Sequence, residues 1–583
     1  MKLLQTLLCA VALCTFVATT NAAPTKEITL EEALNTDIFT PKGQDKIPAA
    51  PDKVVGEWSW ENAEKDDSPD NYPSHLKPWK DKKKIEELIS KMDGILSGDP
   101  RKTKAAQVSL VFPGVPGGEN GKCDIIERQV EIDPRIGGWH SLGLYAPPGQ
   151  KITATVNGKA KFDMSLRIGC HSDSLTWKQL EDGHDGTLKR PPKMTNSTRL
   201  KAGDKKAELA NPFGGLVYLD VHGFNDKAKP VRVTISGATM SPLFILGKKD
   251  AKGVDTTITT AEEWAKQLKE SKAPWAELQS PRITLSFPRE MFKIMKNPRQ
   301  VARRIQRCLA AQDWLIAWDM SPGDIATPMR FVIDQQISVG WGHSGYPTMG
   351  YYPWADPFTS GDFLKGGHWG LWHEIGHNHQ RPPFVFDDCG EITVNLFSAV
   401  AQTQALAIPY ERAWEGTSIG QDYFKKDVVP ALKSGTSFDK QTDGRVKLYF
   451  FIELMRSFGY DAFRKVAIEH HKEKPFGNKT TNRDRWDFFL VALSNAVKRN
   501  LTPYFELWKI DISEGAKNKV KKFPDWLPCE GYPDKLPVYA IEQKAAAEKA
   551  ERHKEAEAKK KAEEEKRKSA ERRERAKKIL ESI

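Results

Sequence analysis

Five consecutive residues, His373-Glu374-Ile375-Gly376-His377, are the part of this 583-residue chain best suited to chemistry. On a helix, side chains at i and i+4 share a face, so the two imidazoles can converge on one metal ion. Glu374 is then placed to take a proton from a water molecule activated at that metal, acting as general base. A catalytic zinc uses three protein ligands and keeps a fourth position open. Four candidates for the third ligand follow in sequence. His379 falls on the opposite side of the same helix. Asp387 and Asp388, in the loop after Pro382-Pro383, are chemically able, and so is Cys389, although a thiolate suits a structural site better. Glu391 fits best, because the 14 residues after His377 allow a turn and an antiparallel return. A competing structural reading remains: Asp388 and Glu391 have the spacing of a capping box, so Glu391 could simply cap its own helix.

The elements that position these groups are legible nearby. The motif helix is expected from near Gly367 to just before Pro382-Pro383, since proline cannot continue a helix. Gly376 costs a helix about 1 kcal/mol relative to alanine. In return it lets a second helix approach closely. That helix is expected over Glu391 to Leu406, with Ile392, Leu396 and Val400 on the packing face. Asn395, one turn after Glu391, is a candidate for ordering the ligands or the substrate. The aromatic, glycine-rich segment Trp341 to Asp356 suits a cleft wall, with Trp341, Ser344, Tyr346 and Trp354 as candidate substrate contacts. His368 is not expected to be a ligand. Tyr449, His470 and His471 are candidates for a second electrophile, although each is better read as a packing or surface residue.

The wider chain divides by pattern. Residues 1–22 read as a signal peptide: Lys2, an apolar run from Leu3 to Val17, and small residues at Thr20-Asn21-Ala22. The run is shorter than a bilayer span requires, and no other transmembrane segment is visible. Export to the exterior, the periplasm or a cell surface follows. Residues 23–104 read as a polar leader with a short helix at Lys82 to Leu96. Over 105–248 the pattern alternates with period two, as in Ile152/Ala154/Val156, Met164/Leu166/Ile168, Val217/Leu219/Val221 and Val231/Val233/Ile235, separated by turn signals. This predicts an all-β, jelly-roll-like sandwich, either a carbohydrate contact or a support for its neighbour. Residues 249–540 read as mainly α, with a capping box at Thr260 and Glu263 and apolar helices over Val446 to Phe458 and Trp486 to Lys498. Residues 541–583 are nearly all Ala, Lys, Glu and Arg. They read as a charged helical tail, a spacer or tether in which coiled-coil pairing is disfavoured by the lack of apolar a and d positions.

The net charge is +11, of which the tail carries +4 and the remaining 540 residues +7. That density is too dilute for a nucleic-acid partner, but a basic exported protein can associate with acidic glycans. Five cysteines follow the signal: Cys123, Cys170, Cys308, Cys389 and Cys529. The odd count leaves at least one unpaired within the chain, and Cys123 with Cys170 is a candidate pair.

The stretch from Gly367 to Gln380, GHWGLWHEIGHNHQ, followed by Gly390-Glu391-Ile392-Thr393-Val394-Asn395, resembles the enhancin-like, mucin-targeting gluzincins of peptidase family M60. Further matches are Gly143-Leu144-Tyr145-Ala146-Pro147, Ile168-Gly169-Cys170-His171, Gly214-Gly215-Leu216-Val217-Tyr218, Ser344-Gly345-Tyr346-Pro347 with Met349, and Asn500-Leu501-Thr502-Pro503-Tyr504-Phe505 with Trp508. The similarity spans about 105–535 and omits the leader and tail. It implies a β-sandwich followed by a zincin-type catalytic domain holding one zinc ion per chain. It also implies mucins or other O-glycosylated proteins as substrates. The alternative is a glycan-binding or adhesion protein whose peptidase fold is secondary or inactive.

Overall fold

The computed structural model describes residues 28–35, 53–62, 79–118, 121–249, 255–257, 259–320, 323, 325–410, 412–419 and 423–535. The expected signal peptide and charged tail lie outside these residues. Among the described residues, no helix is long and apolar enough to cross a membrane.

The alternating segments form the expected antiparallel strands. They are β1 (Lys53–Ser59), β2 (Lys122–Ile132), β3 (Gly138–Ala146), β4 (Ile152–Asn157), β5 (Met164–Ile168), β6 (Asn196–Leu200), β7 (Lys206–Leu209), β8 (Gly215–Val221) and β9 (Val231–Met240). The strand β9 belongs to two layers. Its first part pairs with β2 and β4, and its last two residues, Thr239 and Met240, pair with β3. Gly237 lies between these parts at φ 95°, where a side chain would run into the Lys151 carbonyl. One layer therefore runs β1-β2-β9-β4-β7 and the other β9-β3-β8-β5-β6. Ile152, Ala154, Val156, Val233 and Ile235 meet Met164, Leu166, Ile168, Val217, Leu219 and Val221 in one buried cluster. The period-two residues are this core, as alternation requires.

The leader is more structured than its composition suggested. The helix Lys82–Leu96 forms with the expected bounds, capped by Asp81, burying Ile85, Leu88 and Met92. The strand β1 extends the sandwich, pairing with β2. Residues Leu30–Asn35 form a helical turn with Ala33 buried, and the carbonyl of Ile28 accepts a bond from Trp314 Nε1 at 3.2 Å.

The second domain adds to the expected helices a sheet that the sequence reading did not find. It is built on a seven-stranded mixed sheet of β10 (Leu243–Lys249), β11 (Asp255–Thr257), β12 (Trp275–Gln279), β13 (Ile283–Pro288), β14 (Met329–Asp334), β15 (Gly342–His343) and β16 (Thr348–Tyr351), in the order β11-β10-β12-β13-β14-β16-β15. The expected boundary at 248/249 falls inside β10. Three of the pairings, β10/β12, β13/β14 and β14/β16, are parallel. Strands β13 and β14 are buried on both faces, yet β13 alternates Ile283, Leu285 and Phe287 with Thr284 and Ser286 over only six residues, and β14 sets Phe331-Val332-Ile333 between Arg330 and Asp334, patterns too short to stand out among the apolar helices. Around the sheet pack the helices Pro298–Leu315, Trp369–His379, Gly390–Val400, Gly444–Glu473 and Asn482–Val497. The helix at Ala261–Glu270 begins with the expected reciprocal capping box of Thr260 and Glu263.

The Cys123–Cys170 pair does not form. Both thiols are free and buried, on β2 and just after β5, in different hydrophobic clusters. The other three cysteines are also free.

Candidate metal centre

The motif helix Trp369–His379 starts and stops within two or three residues of the expected points. Its cap is His368, whose Nδ1 accepts from the Leu371 N–H at 3.0 Å while Nε2 donates to the Trp354 carbonyl at 3.0 Å. His368 is thereby committed to the helix start, and burial pushes its pKa down to about 4. The second helix, Gly390–Val400, continues through one π-helical turn, Ala401–Ala405. The two helices cross at Gly376. A Cβ there would sit 3.0 Å from Phe397 Cβ and from Val394 Cγ2, so the close approach expected from glycine is realised.

This crossing brings three ligand atoms together. His373 Nε2 lies 3.1 Å from Glu391 Oε2, and His377 Nε2 lies 3.4 Å from Glu391 Oε1. All the ligating atoms of the three side chains fall within 4.8 Å of one another. The outer nitrogens are fixed by amide oxygens: His373 Nδ1 donates to Asn395 Oδ1 at 3.0 Å, and His377 Nδ1 donates to Gln380 Oε1 at 3.1 Å. Those bonds put the proton of each neutral ring on Nδ1 and turn the Nε2 lone pair inward. Three electron-pair donors then face one another, an arrangement that a divalent cation satisfies. Two nitrogens and one carboxylate oxygen are the donor set of a catalytic zinc. Where the rings carry a proton on Nε2 instead, they hydrogen-bond to Glu391 and hold its carboxyl well below its ordinary range.

The competing ligands are resolved by position. Asp387 pairs with Arg485 at 3.0 Å, and Cys389 is buried at the helix start without capping it through its side chain. Asp388 sits at φ 55°, and no capping box with Glu391 forms. His379 faces away, as expected. It is fully buried, stacked on Trp318 and bound through Nε2 to Asp313 Oδ1 at 2.8 Å, and Asp313 is in turn held by Arg282.

Glu374 lines an open cleft of about 440 Å³ with His373 and Glu391. Burial pushes its carboxyl up from the ordinary value, against the lowering effect of the two histidines. Trp354, Trp369 and Asn395 form part of the wall, and Asp443 and Arg445 stand opposite. Arg445 grips Asp443 with Nε and Nη2 at 3.1 and 2.8 Å, and Tyr423 donates to the same carboxylate at 3.1 Å.

Of the sequence candidates, Trp354 and Asn395 line this cleft, while Trp341, Ser344 and Tyr346 lie beyond it on the β15–β16 hairpin. Trp341 is 65% exposed, with its ring edge against Tyr351. The Ser344 carbonyl accepts from His343, and Tyr346 OH accepts from the Trp139 N–H at 2.9 Å. The three electrophile candidates take the packing places favoured for them: Tyr449 packs on Phe424, His471 binds the Ile316 carbonyl, and His470 is wedged against Phe476 and Phe488.

Residues 237–509 match the family described as peptidase M60, enhancin and enhancin-like, and residues 124–236 match the N-terminal domain of M60-like peptidases. The chain belongs to the M60 peptidase family. This M60 member is 30% identical over 391 residues to TRPM8 channel-associated factor 3 of Rattus norvegicus, an alignment covering 67% of this chain and 40% of that protein. It is equally similar to TRPM8 channel-associated factor 1 of Homo sapiens, with 67% and 39% covered. The chain thus spans about two fifths of the length of the curated relatives it matches. Among solved structures, the ZmpB metallopeptidase of Clostridium perfringens shares the fold with a TM-score of 0.51 at 18% identity, covering 69% of this chain and 81% of that one. IMPa of Pseudomonas aeruginosa, solved in complex with an O-glycopeptide, gives 0.50 at 18% identity, covering 72% and 52%.

Several groups at the M60 site escaped the sequence reading. Gln380 carries a local signal, lying one turn after His377, and its amide also donates to the Gly390 carbonyl and to Thr393 Oγ1, both at 2.7 Å. Trp369 also carries one, lying one turn before His373 on the same helix, whereas Asp443 and Arg445 carry none that spacing could supply, because they come from a distant helix start.

Proposed function

We propose that this protein is an exported, zinc-dependent endopeptidase that cleaves O-glycosylated, mucin-like proteins. The observation that carries the reading is the convergence of His373, His377 and Glu391 on one point, with Glu374 beside them in an open cleft. Membership of the M60 family supports peptidase activity, and the O-glycopeptide complex of IMPa supports the substrate class. Export rests on the sequence of residues 1–22.

A zinc ion held by the three ligands supplies Lewis acidity, polarising the scissile carbonyl and lowering the pKa of water towards about 7. Glu374 takes the proton from the attacking water and passes it to the leaving amine. Its carboxyl suits that duty, since burial makes it a better proton acceptor than an exposed glutamate. Asn395 and Gln380 keep both imidazoles oriented through the cycle. The Trp354 and Trp369 rings offer stacking faces for a sugar, and the Asp443–Arg445 pair offers acceptors and donors for its hydroxyls.

The deciding experiment compares an O-glycosylated mucin peptide with its bare counterpart, using wild type and Glu374→Ala, with zinc content measured on both. Cleavage of the glycopeptide by wild type alone, with zinc in both proteins, is expected. Zinc binding without cleavage of either peptide would favour the second reading, a binding or adhesion protein. That alternative draws on the curated relatives, which are named as channel-associated factors.

A further inference from the structure

The β-sandwich reaches the β15–β16 hairpin through the Trp139 N–H on Tyr346 and through a carboxylate, that of Asp173. Asp173 follows β5, and its Oδ2 accepts from the Ser338 N–H at 2.8 Å and from His343 Nε2 at 2.7 Å. His343 lies on β15, the last strand of the second sheet, and its Nδ1 donates to the Ser344 carbonyl at 2.8 Å. A carboxylate and a carbonyl can only accept, so the ring carries a proton on each nitrogen and is a cation. The pair is largely enclosed, with 21% of the His343 side chain and 10% of the Asp173 side chain exposed.

The hairpin that presents His343 is locked to the motif helix. Asn378, the residue after His377, accepts from the Gly345 N–H at 3.1 Å and donates to the Gly345 carbonyl at 3.0 Å. The sandwich side is equally fixed. Arg190 forms a fully buried ion pair with Asp334 at the end of β14, and Gln336 donates to the Thr187 carbonyl at 2.6 Å. Asn378 lies one turn after Glu374 on the motif helix, so this lock holds the hairpin, and His343 with it, on the Glu374 side of that helix.

We propose that Asp173 and His343 are positioning residues of the catalytic site, through which the sandwich domain sets a fixed positive charge beside Glu374. Both ring protons are already donated, so His343 works as a charge and not as a proton source. Its duty is to stabilise negative charge as it develops around the reacting carbonyl, without reorganisation. The proposal rests on the peptidase reading above. It makes the sandwich part of the catalytic unit and not an appended binding module.

The test uses the full chain loaded with zinc, the O-glycopeptide substrate and the variants Asp173→Asn and His343→Gln. Each is expected to lower kcat about tenfold, the effect of one partly screened charge, with KM within about twofold by the same argument and zinc content unchanged. The double variant should be no worse than the poorer single one, since the two act as one unit. A readout independent of turnover is the ring-nitrogen NMR of ¹⁵N-histidine-labelled protein, with and without metal. His343 should show two N–H signals in wild type at neutral pH and one in Asp173→Asn. A singly protonated His343 in wild type overturns the proposal whatever the kinetics, as does an unchanged kcat in both variants. If Asp173→Asn does not fold, His343→Gln carries the kinetic comparison alone. Failure of zinc-loaded wild type to cleave any glycopeptide sinks the peptidase reading and this proposal together, whereas cleavage with unaltered variants sinks this proposal only.

Discussion

His373 donates from Nδ1 to the side-chain oxygen of Asn395, 3.0 Å away and one helical turn beyond Glu391. One helix thus supplies both the third ligand and the group that orients the first. Asn395→Ala leaves the ring free to rotate and to change tautomer. Zinc affinity is expected to fall about 10- to 100-fold, read by competition with a chromophoric chelator. An affinity equal to wild type would show that the bond does not orient the ligand.

Glu391→Ala removes the only anionic ligand and leaves two neutral imidazoles. The variant should emerge from dialysis without zinc, whereas Glu374→Gln should retain one equivalent and lose turnover by about 10²- to 10⁴-fold. Metal analysis beside single-turnover cleavage separates the two roles. If Glu391→Ala retained its metal, the third ligand would have to be sought elsewhere.

Two glycines should respond oppositely to alanine. Gly94, inside the helix Lys82–Leu96, has nothing within 4 Å of an added Cβ, so Gly94→Ala should stabilise by about 0.5–1 kcal/mol. Gly376→Ala gains the same helix propensity but drives a methyl against Phe397 and Val394 at 3.0 Å. Overpacking of that kind costs about 1–3 kcal/mol, so the melting temperature should fall, and zinc affinity with it as the two helices are pushed apart. A rise in melting temperature at Gly376 would mean that the crossing can relax at no cost.

Behind the motif helix, Arg282 pairs with Asp313 at 2.8 Å, and neither side chain is exposed. Arg282→Ala strands a buried carboxylate and should cost about 3–5 kcal/mol, measured by urea unfolding. A loss below about 1 kcal/mol would indicate that water or a shifted side chain replaces the guanidinium.

The Asp173–His343 pair predicts a window of pH. Burial opposes both charges, but the Asp173 carboxylate and the Ser344 carbonyl help to raise the His343 pKa above its ordinary value, and His343, Arg190 and the Ser338 N–H together lower that of Asp173. The imidazole contribution to stability is fully present below about pH 6.5 and is lost as pH rises through its elevated folded pKa. The carboxylate contribution is present above about pH 3.9 and is lost as pH falls through its depressed folded pKa. The stability difference between wild type and Asp173→Asn should therefore be greatest between about pH 4 and 6.5, measured by urea unfolding of metal-free protein. A difference that is flat from pH 4 to 9 would mean that the pair is not ionic.

The metal ligands were readable because helical spacing and a single turn fix them locally: His373, His377 and Glu391 span 19 residues. The sandwich was readable because one face of each strand is buried against the other layer, which imprints alternation on Ile152 to Asn157 or Val217 to Val221. The second sheet was missed because its strands are short: the alternation of Ile283, Leu285 and Phe287 with Thr284 and Ser286 in β13 lasts six residues, and Phe331-Val332-Ile333 breaks it in β14. The Asp173–His343 pair forms, and the local pair of Asp443 and Arg445 reaches the cleft, only through long-range packing, for which spacing along the chain holds no record.

The strand β1 and the turn at Leu30–Asn35 carry a practical consequence. The region matching the family, residues 124–509, omits both, together with Ile510, Ile512 and Tyr532, which are buried. A chain trimmed to that region would leave the nine remaining residues of β2, 124–132, with an open edge and uncover Trp314, whose Nε1 binds the Ile28 carbonyl. Exposed edges of that length recruit strands from other molecules. Shortened forms should self-associate at concentrations where the whole chain stays dispersed, so any loss of activity on trimming would report stickiness before it reported catalysis.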